Sequence, residues 1–142
     1  MSLSIFDRGE GRFDLVDGDN EIGWVRDRAI GFNGFEDRAA ARRGAAVAYD
    51  ALTKWLARQR RLDAPPPNGH ALRAQRAGGI DQLTVGEAAV GQLYYGGTDD
   101  GYAFELYVPP RIGATLSAAQ VMYYALERSR AAREVAGPIE AA

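Results

Sequence analysis

The sequence predicts an α+β protein: antiparallel sheet with two helices packed on one side, laid out as two strand-strand(-strand)-helix halves. Three observations carry this expectation. Residues 45–52 (AAVAYDAL) and 119–126 (AQVMYYAL) repeat nearly the same eight-residue phrase at an offset of 74. Each phrase lies in a stretch of helical periodicity, and each such stretch follows runs in which apolar and polar residues alternate. Five of the eight paired positions are identical, two of them alanine pairs in an alanine-rich chain. Internal duplication accounts for the phrase, and so does convergence of two helices that pack on sheets.

The chain opens with a predicted three-strand meander. Phe13 and Leu15 alternate with Arg12, Asp14 and Val16, and Asp17-Gly18-Asp19-Asn20 supplies turn chemistry. Ile22 and Trp24 then alternate with Gly23 and Val25, Asp27-Arg28 offers a second turn, and Ala29–Phe32 forms a third strand. A long helix is expected over 37–61. Ala41, Ala45, Ala48, Leu52 and Trp55 recur at steps of three and four, which sets them along one stripe. Gly44, inside that helix, permits close approach to strands.

Residues 63–79 hold Pro65-Pro66-Pro67, Asn68-Gly69 and Gly78-Gly79 and show no periodicity. They read as a linker between an N-terminal part, 1–62, and a C-terminal part, 80–142, which can still share one domain. The second part restarts with strands at 83–85 and 90–95. A turn-rich stretch follows, whose Asp100-Gly101 step predicts a hairpin. Tyr102, Phe104, Leu106 and Val108 then share one strand face, with Ala103, Glu105 and Tyr107 on the other. The last helix, over 117–134, has Ser117 at its N-cap and Gln120 as the capping partner, with Met122 and Ala125 on its inward stripe.

Composition narrows the function classes. With 142 residues, 46% hydrophobic and 25% charged, the chain has the make-up of a soluble globular protein. No apolar run approaches the roughly 20 residues of a membrane-spanning helix. The first thirty residues carry seven acidic side chains and no apolar stretch, so no secretory signal is read there. Sixteen arginines against Lys54, with abundant alanine, fit a GC-rich bacterial genome, and the expected location is the cytoplasm. Without cysteine there are no disulfides and no thiol nucleophiles.

Chemistry is sparse. His70 is the single histidine and sits in the linker, so the chain lacks the ligands of a common zinc site, and no cofactor or metal is expected. Asp17–Glu21 resembles the start of a calcium loop, but Ile22 and Arg28 stand where glycine and glutamate are required. Glu87 and Glu105 form a carboxylate pair on strands expected to neighbour each other, and solvated strand-face charges account for both.

Charge is uneven: net −5 over 1–37, +7 over 38–76 and −4 over 77–142. The basic middle offers Lys54, Arg58 and Arg61 as a nucleic-acid stripe, although the chain as a whole is acidic. An outward-facing Tyr124, with Gln120 and Ala131 beside it, indicates a helix-to-helix contact in a homo-oligomer. Trp24, Tyr95, Tyr102 and Tyr107 could line a small-ligand or enzymatic site between the halves. The leading expectation is a non-catalytic binding module that associates with itself, with nucleic-acid binding by the helix and a ligand site between the halves as alternatives.

Overall fold

The protein is described by a computed structural model, covering residues 3–26, 29–59, 72–98 and 101–107, and residues 120–123, 125 and 127 near the C-terminus. Eight strands form one sheet. In chain order they are β1 (Leu3–Gly9), β2 (Arg12–Asp17), β3 (Asn20–Arg26), β4 (Ala29–Phe35), β5 (Leu72–Ala77), β6 (Ile80–Val85), β7 (Ala88–Tyr95) and β8 (Tyr102–Tyr107), with helix α1 (Arg38–Gln59) between β4 and β5. Their order across the sheet is β1-β2-β3-β4-β8-β7-β6-β5, and every pairing is antiparallel. Two four-stranded meanders therefore lie side by side, joined where the last strand of each, β4 and β8, meet.

The predicted strands 12–16, 22–25 and 29–32 are β2, β3 and β4, and the hairpin at Gly101 joins β7 to β8. Gly96 and Gly101 close that connection, with the Gly96 amide donating to the Gly101 carbonyl at 2.7 Å. Two strands are additional, β1 and β5, and they are the two edges of the sheet. Residues 72–77, read above as part of the linker, are β5, paired along its whole length with β6. The proline run and His70 lie outside the described residues.

The helix forms where its sequence pattern places it. Asp37 caps it: the Ala40 amide donates to Asp37 Oδ1 at 2.7 Å, satisfying a donor that the first turn leaves open. Ala41, Ala45, Ala48, Leu52 and Trp55 are all buried. This stripe lies over β8, with lesser contact to β4 and β7. Gly44 sets the closeness of the contact. A Cβ there would stand 2.7 Å from the Phe35 ring, closer than real side chains come, and 3.2 Å from that of Phe104. Burial of Leu52 and Trp55 contributes about 2–3 kcal/mol each to holding the helix down. Met122 and Ala125, from the C-terminal helical residues, join the same core. The rest of the expected 117–134 helix, with Ser117, Tyr124 and Ala131, lies outside the described residues.

Pairing registers divide the strand side chains between two faces. One row of partners runs Leu15, Gly23, Phe32, Phe104, Leu93, Asp81 and faces the helix. The next row out runs Phe6, Asp14, Trp24, Gly31, Glu105, Gln92, Gln82, Gln75, one residue from each of the eight strands, and points away from it. Both meanders carry a bulge between their second and third strands, after Leu15 in one and after Leu83 in the other. Ile22 is the extra residue in β3, and it joins the core beside Gly23 and Val25. Ile22 and Trp24, expected on one face, therefore part company: Trp24 stands on the opposite side, outside the core cluster.

Candidate binding face

On the face away from α1, three side chains from distant parts of the chain meet at the centre of the sheet. Trp24 lies flat across Gly31, where any Cβ would collide with the indole. From there its Nε1 reaches over β4 and donates to Glu105 Oε2 at 3.2 Å. The other carboxylate oxygen, Oε1, accepts from Gln92 Nε2 at 2.9 Å. Two neutral donors thus fix both oxygens of a half-buried carboxylate, and among the described residues no cation lies within ion-pair distance of it.

Arginines accompany the aromatic groups of this face. The Arg26 guanidinium sits 5.3 Å from the Trp24 ring centroid and holds a loose pair with Glu21 at 3.4 Å. Toward the β1 edge, Arg8 stands 5.3 Å over Phe6 and donates to Asp14 at 2.9 Å. Phe6 is 47% exposed and Tyr107 is 48% exposed on this face. Gln82 and Gln75 extend the row as exposed amides toward β5.

The opposite face holds one buried charge. Asp81 occupies a core position on β6 and is 2% exposed. Arg38, the first residue of α1, donates to its Oδ2 through both Nε and Nη2, the Nε contact at 3.0 Å, and Arg76 Nε lies 3.5 Å from Oδ1. This cluster anchors the start of α1 to β6. It also withdraws Arg38 from the basic stripe that the sequence displays.

The expected site residues are placed as follows. Of the four aromatic residues proposed to line one pocket, Trp24 and Tyr107 are on the face away from α1, while Tyr95 and Tyr102 belong to the other, with ring centroids 5.1 Å apart. The sheet itself separates the two pairs, so a single pocket lined by all four does not form. Lys54 is half-buried and Arg58 is exposed on α1, and Arg61 lies outside the described residues. Gln120 is exposed. Glu87 is an exposed turn residue and does not approach Glu105 through a strand pairing. Glu105 had an outward position from the alternation of Tyr102, Phe104 and Leu106. Its bond to Trp24, 81 residues away, had no local signal.

Among the described residues, no group of three or more His, Cys, Asp or Glu side chains could hold a metal ion. No helix among them is long and apolar enough to cross a membrane. The chain matches no family model, and neither the curated proteins nor the solved structures contain a significant match to it.

Proposed function

We propose that this protein is a non-catalytic binding module that associates with itself, and that the sheet face away from α1 is its recognition surface. One observation carries the reading. Trp24, Glu105 and Gln92 form a hydrogen-bonded cluster at the centre of that face, where none of them contributes to the core cluster. Tryptophan and arginine are the residues that most often dominate binding surfaces. An oriented carboxylate between them supplies direction.

The finer architecture supports a central location for the surface. The chain is read as two copies of one meander-helix unit. Superposing the bulges equates Leu15 with Leu83, an offset of 68, and brings Gly23 onto Gly91 and the left-handed turn glycine Gly18 onto Gly86. Strand pairing then requires an offset of 74 between β4 and β8, equating Gly31 with Glu105. That is the offset at which the helical phrase repeats. The cluster sits on the resulting pseudo-twofold, and it is where the halves diverge: Trp24 corresponds to Gln92 and Gly31 to Glu105.

Sedimentation velocity over a wide concentration range, paired with binding of labelled single-stranded and duplex oligonucleotides at low salt, tests the reading. The expected result is a mass above that of one chain and no oligonucleotide retention. A strict monomer that retains oligonucleotides, with binding that weakens steeply as salt rises, would instead favour the helix stripe containing Lys54, Arg58 and Arg61.

A further inference from the structure

We infer that the partner of the sheet face away from α1 is the same face of a second copy, stacked sheet on sheet about a twofold axis, with Arg26 of each chain meeting Glu105 of the other. The inference rests on the self-association proposed above and assigns a surface to it.

The dimensions fit. Eight strands of six to eight residues, spaced about 4.8 Å apart and rising about 3.4 Å per residue, span roughly 800 Å² in projection, with Trp24 and Ala103 near the centre already buried. That is about what each partner contributes to a standard stable interface. The face also has the contents such an interface needs. Phe6 and Tyr107 are half-exposed rings, and facing sheets pack about 10 Å apart, which leaves room for side chains of this length to interdigitate.

Charge supplies the register. A twofold interface is self-complementary, so a residue that meets a different residue across the axis does so twice. Glu105 is a carboxylate held in place with no cation beside it among the described residues. Arg26 is a half-exposed cation on the same face, stacked on the Trp24 ring and loosely paired with an exposed Glu21 at 3.4 Å. Each can satisfy the other between chains.

The sheet edges are poorer candidates. β1 ends in an irregularity between Asp7 and Gly9, and β5 carries exposed Arg73 and Arg76, both features that oppose strand addition.

The test is sedimentation velocity on the full chain and on variants whose fold is checked by circular dichroism. The wild type should dimerise. Arg26→Glu and Glu105→Arg should each weaken the dimer about tenfold or more, and the double reversal should recover most of that loss. Tyr107→Arg, at an exposed position, should weaken it without touching the carboxylate cluster. If the protein dimerises but Arg26→Glu and Tyr107→Arg leave the dimer unchanged, the face assignment is overturned while self-association stands. A single chain at about 100 μM, well above the dissociation constant of any specific dimer of this area, removes both.

Discussion

The two meanders share a frame and differ in what they place on it. Leu15 and Leu83 are both fully buried behind equivalent bulges, and Gly23 and Gly91 are both buried beside them. At the next core position the halves diverge: Phe13 fills it in β2 and Asp81 in β6. The phenylalanine needs only apolar neighbours. The aspartate needs Arg38, and with it the start of α1. On the outer face the N-terminal meander contributes a flat indole over a glycine, and the C-terminal one a carboxylate and an amide. One meander thus carries an apolar filling and the other an ionic one, and a separate polar cluster lies where the two meanders join.

The largest expected effect concerns the ionic filling. Arg38→Ile leaves Asp81 as a buried charge with only the more distant Arg76, and should cost about 3 kcal/mol in a urea titration. The double substitution Arg38→Ile with Asp81→Phe replaces the ionic filling with the kind of apolar filling that Phe13 supplies in the other meander. It should recover most of that loss, because replacing a buried ion pair with well-packed apolar groups is often neutral. A double variant no more stable than Arg38→Ile alone would break the equivalence of the two positions.

The paired glycines give a finer contrast. At Gly91 a Cβ would press on the Glu105 carbonyl oxygen, which is backbone and cannot yield. At Gly23 it would meet the Phe32 ring edge at 2.8 Å, and also the Gly31 carbonyl oxygen at 3.0 Å. Gly91→Ala should therefore destabilise by about 3 kcal/mol and Gly23→Ala by about half as much. Equal losses would show that sheet curvature, rather than the nearest atom, sets the limit.

Gly31→Ala should expel the Trp24 indole at a cost of about 2 kcal/mol. In a Trp55→Phe background, where Trp24 is the one remaining indole, its emission should shift to the red. Smallest is Gln92→Ala, which removes one donor from Glu105 and should cost about 1 kcal/mol, with Trp24 emission unchanged.

Much of this frame was legible in the chain. The stripe from Ala41 to Trp55 and the alternation from Tyr102 to Leu106 announce themselves because each buries one regular face, whereas the Asp37 cap was not read from the sequence. The edges were hard to see. Leu72–Ala77 and Leu3–Gly9 each have a neighbour on one side only, so their sequences carry little apolar alternation and many charges. β3 misled for a different reason. A single extra residue, Ile22, reverses the phase of everything before it, and no local feature marks where a bulge falls. That reversal moved Trp24 from an inward expectation to the outer face. The cluster it forms depends on β3 and β8 each pairing with β4, which strand patterns alone do not specify.

The seam between β4 and β8 also bears on how the protein is made. Phe35 is added to the chain long before Tyr107, a delay of about 4–15 s at common synthesis rates of about 5–20 residues per second. Throughout that interval the edge of β4 that pairs with β8 has no mate, and the helix has only its lesser contact with β4 to rest on. A nascent chain in this condition is a substrate for holding chaperones and a hazard when many are translated together. Expression yield should respond to translation speed and temperature more than the stability of the finished molecule would foretell.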